Sequence, residues 1–241
     1  MTIVKYLKLP FLFDVERLQS DVRALQETAW QLHYQKLHYQ GNWTALPLRS
    51  QGGDARNIIV SPDSTRPYHD TVFLSATPYF REVLSHFQCP QRAVRLMKLA
   101  SGAIIKQHTD ADLHFEQGEA RLHIPIATHP GVEFWVDRER LPLAEGECWY
   151  INFNLPHSVR NNSPVDRIHL VVDVTVNDWI REVFRSPAIE VRKEIPQPLV
   201  TYDERTKREM ILRFRAMNTP TANGMADEFE AQLAGGSGNA V

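Results

Sequence analysis

The sequence ARLHIPIATHPGVEFWV, residues 120–136, contains two short runs rich in β-branched and aromatic residues, separated by Pro130 and Gly131. Runs of this length and composition, bounded by proline and glycine, are typical of β-strands joined by a turn. The same pattern extends in both directions, over residues 92–176, and predicts at least six strands. These strands are residues 92–99, 103–108, 120–127, 132–136, 147–153 and 167–176, with a further one at 43–48. Because no helical pattern separates them, we expect antiparallel pairing in a sandwich, jelly roll or barrel.

Helical patterns flank the strands on both sides. The spacing of apolar residues and the N-cap signals predict helices at residues 14–25, 77–87, 178–184 and 203–217. We therefore expect a mainly β protein with flanking helices, in which residues 1–176 form a domain of strands and N-terminal helices. We expect residues 177–234 to form a helical extension with a proline-rich connector, and the glycine-rich residues 235–241 to form a flexible tail.

The chain of 241 residues carries 27 basic and 29 acidic residues, for a net charge of -2 at pH 7. Such a balance gives no overall positive field, which argues against a protein that binds nucleic acid or an anionic membrane surface. The two cysteines, Cys89 and Cys148, lack zinc-site spacing, which excludes a structural zinc module and a disulfide scaffold. The apolar stretch at 6–13 is interrupted by Lys8 and Pro10, so we expect neither a signal peptide nor a membrane span, and a cytoplasmic location. The sequence leaves the oligomeric state open.

A histidine followed two residues later by an acidic residue occurs twice, at residues 108–110 (HTD) and 114–116 (HFE). With ten histidines in the chain, about one such match is expected by chance. Only His108 ends an apolar run typical of a strand, whereas His114 lies in a polar stretch that we expect to be a solvated loop. Since residues i and i+2 of a strand share a face, His108 and Asp110 can present an imidazole and a carboxylate to the same point.

His157 is the best candidate for a third ligand, because it follows a predicted turn at 154–156 that ends a strand. Two histidines and one carboxylate form the facial triad of non-haem Fe(II) oxygenases, which leaves open positions on the metal. Arg167 follows a second predicted turn, at 161–164, and a hairpin would bring it into the same pocket as His157. A buried arginine needs an anionic partner, which a co-substrate carboxylate would provide. His169 has the same parity as Arg167 and is expected to be either a hydrogen-bonded core histidine or a pocket residue.

Four segments combine these motifs. They are His108-Thr109-Asp110, Arg121-Leu122-His123, residues 155–162 (LPHSVRNN) and residues 167–173 (RIHLVVD). Together they resemble the aspartyl/asparaginyl β-hydroxylase family, which includes bacterial free-proline hydroxylases. The similarity extends from about Tyr39 to about Val176. It implies a double-stranded β-helix fold, also called a jelly roll or cupin-like fold, that uses Fe(II), 2-oxoglutarate and O2.

The resemblance also implies roles for individual residues. These roles are iron ligation by His108, Asp110 and His157, contact with the distal carboxylate of 2-oxoglutarate by Arg167, and contact with its iron-chelating end by Arg121 and His123. Some members of the family have glycine in place of Asp110. The complete triad is therefore in keeping with hydroxylation and makes halogenation an unexpected activity.

The activity implied by the resemblance is hydroxylation of an unactivated carbon of an amino acid, of aspartyl, asparaginyl or prolyl type, with conversion of 2-oxoglutarate to succinate and CO2. The amino acid would be free or within a peptide. We favour a small free amino acid because Arg49, near Gly52 and Gly53, could pair with its α-carboxylate, although a surface turn also explains this segment. Two alternatives stay open: a cupin-type metalloprotein without 2-oxoglutarate, whose usual His-x-His is absent from the sequence, and a barrel that is a non-enzymatic binding module.

Overall fold

The computed structural model describes residues 2–60, 65–110, 113–196 and 203–235. The strands in these residues are β1 Thr2–Leu12, β2 Gln31–Leu32, β3 Tyr39–Gln40, β4 Trp43–Gln51, β5 Tyr68–Asp70, β6 Gln91–Leu99, β7 Ile104–His108, β8 Glu119–Ala127, β9 Val132–Val136, β10 Glu139–Leu141, β11 Glu147–Ile151, β12 His157–Asn161, β13 Arg167–Thr175 and β14 Arg192–Pro196. The α-helices are α1 Val15–Arg23, α2 Val72–Ser75, α3 Pro78–Ser85, α4 Asp178–Arg185, α5 Glu204–Met217 and α6 Pro220–Gly235.

The strands form two antiparallel sheets. The larger sheet has the order β14-β1-β11-β8-β13-β6-β4-β2, with β5 also paired to β4, and the smaller has the order β10-β9-β12-β7-β3. Consecutive strands of the chain often lie in different sheets, and the two sheets face one another. This is the arrangement of a jelly roll, so the predicted fold class, mainly β with flanking helices, is confirmed.

The larger sheet is buried on both faces, which the alternation of side chains along its strands explains. On β6, Leu96 belongs to an apolar cluster with the helices α1, α3 and α4, whereas Met97 belongs to a second cluster between the two sheets. On β13, Leu170 and Val171 divide between the two clusters in the same way. Residues of one parity therefore face the helices, and residues of the other parity face the interior of the barrel.

All the strands and helices that the sequence predicts are present, with small differences at their ends. The structure adds several elements that the sequence did not predict, among them β1, β12, β14 and α6. β1 contains the apolar stretch at 6–13, and its Pro10 lies where the pairing with β11 shifts register between Leu9 and Leu12. Proline is tolerated at such an irregularity because no ladder hydrogen bond is required of it there.

The chain divides into two compact units, residues 1–196 and 197–241. The first unit extends past residue 176, where the sequence placed the domain boundary, because β14 pairs with β1 and because Ile180 and Phe184 of α4 are buried in the core. In the second unit, α5 and α6 form a helical hairpin in which Arg215 pairs with Asp227 and Glu230. The predicted tail, residues 235–241, lies outside the described residues except for Gly235.

None of the helices in the described ranges has the length and apolar composition that a membrane crossing requires.

Candidate active site

A cavity of about 420 Å³ lies between the two sheets. The predicted site residues that line it are His108, Asp110, Arg121, His123, His157 and Arg167. They come from four strands and from the segment that follows β7, so the fold brings together six side chains that are up to 59 positions apart in sequence. The cavity walls also include apolar side chains, such as Phe134 and Phe153.

The three predicted metal ligands converge at one end of this cavity. His108, Asp110 and His157 each offer a ligand atom, and these atoms all lie within 4.8 Å of one another. His157 on β12 is the direct cross-strand partner of His108 on β7, and Asp110 follows two residues later. Asp110 is held by its backbone N–H, which donates to the carbonyl of Phe153 at 2.9 Å. Two imidazoles and one carboxylate in this arrangement fit a divalent transition metal such as Fe(II).

Backbone carbonyls fix which nitrogen of each histidine faces the cluster. The Nδ1 atom of His108 lies 2.8 Å from the carbonyl oxygen of Lys106, and that of His157 lies 3.0 Å from the carbonyl oxygen of Leu155. A carbonyl only accepts, so both Nδ1 atoms carry a proton, and it is Nε2 of each ring that presents the lone pair when the imidazole is neutral. Burial lowers the pKa of His157 to about 4, so this imidazole is neutral at pH 7 and able to bind a metal.

Asp110 is prepared as a ligand by Arg121. The Nη1 atom of Arg121 donates to Oδ2 of Asp110 at 2.7 Å, while Oδ1 faces His108 with a separation of 3.6 Å from its Nε2. Burial of the carboxyl group is the largest single influence and opposes its ionisation, but the neighbouring basic groups, Arg121 first among them, together outweigh burial and hold the pKa of Asp110 below its usual value. Arg121 therefore occupies one carboxylate oxygen and leaves the other available to the cluster.

Asp173 links Arg121 to a second buried arginine, Arg95. Its carboxylate accepts from Nε and Nη2 of Arg121, at 2.6 and 3.1 Å, and from Nη2 of Arg95 at 3.1 Å. Asp173 is 1% exposed, and both arginines are buried. Neither Asp173 nor Arg95 is predicted as a site residue from the sequence. The shared parity of Asp173 with Arg167 on β13 is the signal that could have revealed it.

Arg167 differs from these arginines because no carboxylate pairs with it among the described residues. Its guanidinium is buried, its Nη2 donates to Nδ1 of His169 at 2.7 Å, and its Nε has no partner within residues 2–60, 65–110, 113–196 and 203–235. Burial alone lowers the pKa of Arg167 to about 9, although the group stays charged at pH 7. A buried cation without a counter-ion is costly, so this side of the cavity is suited to an anionic ligand.

The predicted hairpin between His157 and Arg167 is wrong, although the shared pocket is correct. β12 pairs with β7 and β9 in the smaller sheet, whereas β13 pairs with β6 and β8 in the larger one. The turn at 161–164 therefore carries the chain from one sheet to the other. His157 and Arg167 reach the same cavity from facing sheets.

An aromatic wall closes another part of the cavity. The imidazole of His33 stacks on the indole of Trp43, with ring centroids 3.6 Å apart and an interplanar angle of 18°. His33 and Trp43 line the cavity together with Tyr34, and burial lowers the pKa of His33 to about 3. The indole Nε1 of Trp43 is buried and has no hydrogen-bond partner in the described part of the chain. This wall offers a neutral, apolar surface with one unused donor.

The structure does not bring Arg49 to the cavity. Its guanidinium pairs with the carboxylate of Asp70 and donates to the backbone carbonyls of Tyr68 and Gln91, at 3.0 and 3.2 Å. These contacts tie β4 to β5 and to β6, which is a structural role. The prediction of a solvated loop is also wrong for His114, which is buried and contacts Glu116.

The chain is similar to several known proteins. A family model described as aspartyl/asparaginyl beta-hydroxylase matches residues 13–176. The L-proline cis-4-hydroxylase of Rhizobium meliloti (strain 1021) is 27% identical over 194 residues, 79% of this chain and 65% of that relative. The chain thus spans slightly less than two thirds of the length of this curated relative.

Solved structures show weaker similarity. A 2OG-Fe(II) oxygenase family oxidoreductase from Burkholderia pseudomallei has a TM-score of 0.46 and 14% identity, over 67% of this chain and 78% of that chain. A non-heme monooxygenase in complex with nickel has a TM-score of 0.42 and 11% identity, over 71% of this chain and 74% of that one.

Proposed function

The chain belongs to the aspartyl/asparaginyl β-hydroxylase family, and from that premise we propose that it is an Fe(II)- and 2-oxoglutarate-dependent dioxygenase that hydroxylates an unactivated carbon of an amino acid. The observation that carries this proposal is the pairing of two features in one cavity. One is the cluster of His108, Asp110 and His157, with its ligand atoms within 4.8 Å. The other is Arg167, a buried cation without a carboxylate partner on the described chain.

The donor set is suited to Fe(II) in charge and in protonation. Two imidazoles that turn Nε2 toward the cluster and one carboxylate would provide a net charge of -1 as metal ligands, and three ligands leave other positions on an iron ion open. Bound there, Fe(II) supplies the redox chemistry by which O2 and 2-oxoglutarate are consumed, one oxygen atom entering the substrate C–H bond and the other entering succinate as CO2 is released. The overall reaction is balanced and needs no further reductant.

The residues around the cluster bind and orient the reactants. Arg121 holds Asp110 so that only Oδ1 faces the histidines, and Asp173 in turn holds Arg121. Arg167 binds the distal carboxylate of 2-oxoglutarate with its guanidinium, whose Nε has no partner on the described chain. Arg121 and His123 are proposed to contact its other end. The apolar walls, including Phe134 and Phe153, exclude water from the reacting centre.

A small amino acid is the proposed substrate, and the cavity supports it in two ways. Its volume of about 420 Å³ is near the lower end of the range of small-molecule sites, which suits two small ligands better than a peptide. Arg95 and Trp43 line the cavity, and each has a buried N–H without a partner in the part of the chain that the structure describes, Nε in the first and Nε1 in the second. These donors take the place of Arg49 as the proposed contacts for a substrate carboxylate. The L-proline cis-4-hydroxylase similarity makes proline the first candidate to test.

A succinate-release assay tests this proposal. Purified protein is supplied with Fe(II), 2-oxoglutarate and O2 and screened against free amino acids, headed by L-proline, L-aspartate and L-asparagine, and against peptides that contain them. We expect succinate in amounts equal to hydroxylated product with a free amino acid. Turnover of peptides alone would refute the small-substrate proposal, and a metal-loaded protein that never releases succinate would favour the cupin-type alternative.

A further inference from the structure

Arg167, His169 and His123 form a continuous chain of contacts in the barrel interior. Arg167 and His169 are two residues apart on β13 and share its inner face, while His123 lies on the neighbouring strand β8. The Nη2 atom of Arg167 is 2.7 Å from Nδ1 of His169, which is 3.2 Å from Nδ1 of His123. The two imidazoles are nearly perpendicular, with an interplanar angle of 75°, and both are buried.

If both histidines are neutral, only one combination of their tautomers satisfies these contacts. A guanidinium only donates, so Nδ1 of His169 must be the acceptor and the proton of His169 must lie on Nε2. The Nδ1 atom of His123 also faces the lone pair on Nδ1 of His169. This contact is favourable only if Nδ1 of His123 carries the proton of its own ring. Nε2 of His123 is then unprotonated, and it is buried without a hydrogen-bond partner among the described residues. Burial and the charge of Arg167 both lower the pKa values of the two histidines well below 6.5, which keeps them neutral at pH 7.

We propose that His169 is a positioning residue, which holds the guanidinium of Arg167 against the cavity as its acceptor and fixes His123 in the tautomer with a free Nε2. The inference rests on the proposed function, since it takes Arg167 to be the contact of the co-substrate carboxylate. His169 does not line the main cavity, and it reaches the ligand only through its neighbours. A histidine that merely filled space would not need an acceptor at Nδ1.

Two nearly isosteric substitutions distinguish the role of His169 as a hydrogen-bond acceptor from the space that its side chain fills. In His169→Asn, the amide oxygen can occupy the place of Nδ1 and still accept from Arg167, whereas His169→Leu has no acceptor. We expect His169→Leu to weaken 2-oxoglutarate binding to the Fe(II)-loaded protein about tenfold, measured anaerobically by calorimetry, because Arg167 loses its orienting partner. We expect His169→Asn to stay within about threefold of wild type, since it keeps that acceptor. His114→Leu, at another buried histidine outside the cavity, is the matched control and should bind 2-oxoglutarate like wild type.

Steady-state kinetics then distinguish positioning from general damage. For His169→Leu, the KM for 2-oxoglutarate should rise with little change in the KM for the amino acid. Equal losses in both, or equal losses in His169→Leu and His169→Asn, would overturn the proposal, because they indicate a packing role. Unchanged 2-oxoglutarate binding in His169→Leu would overturn it as well.

The tautomers are read independently of activity by 15N NMR of the histidine side chains in the metal-free protein. We expect a protonated Nε2 on His169 and a protonated Nδ1 on His123 at pH 7. A proton on Nδ1 of His169, or a charged His169 imidazolium, would overturn the inference. Failure of the proposed function has a different signature, because wild-type protein would then not bind 2-oxoglutarate at all, while the tautomers would still decide the hydrogen-bond assignment.

Discussion

His157 lies directly opposite His108 on the antiparallel pair of β12 and β7, and their imidazole rings are 4.2 Å apart. Each ring is fixed by a backbone carbonyl at its Nδ1, so the two Nε2 lone pairs meet at the carboxylate of Asp110. The metal site is thus built from one cross-strand pair and one residue of the adjoining loop. This preformed geometry needs no metal ion to hold the two strands together, since the backbone pairing does so.

The first prediction follows from that independence of fold and metal. His108→Ala and His157→Ala should each reduce iron affinity at least a hundredfold, because two ligands hold a labile metal weakly. The free energy of unfolding of the metal-free protein should change much less. Bound iron is measured by elemental analysis after gel filtration, and unfolding by urea titration. His69→Ala, at an exposed position of β5, is the control and should retain its iron. Full iron content in either ligand variant would remove that histidine from the site.

The second prediction is that replacing Arg167 stabilises the protein but weakens its binding of 2-oxoglutarate. Arg167→Met keeps much of the side-chain volume but removes a buried cation that has no carboxylate partner on the described chain. We expect the ligand-free protein to become more stable, by about 1 kcal/mol or more, and the apparent affinity for 2-oxoglutarate to fall on the order of a hundredfold. Urea unfolding and calorimetry measure the two effects. A variant that is less stable and still binds 2-oxoglutarate normally would refute this role. Arg167→Lys should recover only part of the affinity, since an ammonium cannot form the same fork.

The third prediction concerns which arginine contacts the substrate. Arg95→Lys should raise the KM for the amino acid about tenfold and leave the KM for 2-oxoglutarate little changed, because Nε of Arg95 is an unused donor in the cavity. Arg49→Lys is the matched control, since its guanidinium is engaged by Asp70 and by two backbone carbonyls away from the cavity. Steady-state kinetics with the best substrate measure both. A larger effect at Arg49 than at Arg95 would restore the interpretation made from the sequence.

The fourth prediction is that the protein loses stability in mild acid because of its buried histidines and not because of its carboxylates. The pKa values of His123 and His169 lie well below 6.5 in the folded state, mainly because of burial. As the pH falls below about 6.5, these histidines bind protons in the unfolded chain but not in the folded one. The free energy of unfolding should therefore decrease with decreasing pH, by up to about 1.4 kcal/mol per pH unit for each histidine.

Urea titrations of the metal-free protein between pH 7.5 and pH 5 measure this slope. The lowered pKa values of His33 and His157 contribute to the same slope, and His169→Asn, which removes one contributing group, should reduce it by up to about 1.4 kcal/mol per pH unit. A stability that is constant over this range in the wild-type protein would contradict the account of neutral, buried histidines.

Most strands were predictable from their apolar pattern, even where a proline interrupts it, whereas β12 and the shifts of register between strands were not. β12 has the sequence HSVRN, in which a metal ligand and polar residues replace the apolar run that marks a strand. Pro47 and Pro125 lie at or beside shifts of register, as Pro10 does. A pairing irregularity of this kind is a tertiary property, and a single strand's sequence does not contain it.

The site residues were predictable as separate chemical types, but their pairing was not. The motif of His108 and Asp110 points to a metal whatever the register of the strands. The contacts of Asp173 with Arg121 and Arg95 depend on β13 lying between β8 and β6. Arg49 illustrates the opposite case, in which a suitable side chain beside two glycines is used to join strands.

The most direct measurement of the central claim is an anaerobic titration of the metal-free protein with Fe(II), followed by 2-oxoglutarate, with visible absorption spectroscopy as the readout. We expect the absorption band of a chelate between Fe(II) and 2-oxoglutarate to grow to saturation in the wild-type protein. The band should be absent in His157→Ala and should require far more 2-oxoglutarate in Arg167→Gln. A wild-type protein that binds iron but develops no such band at saturating 2-oxoglutarate would contradict the claim.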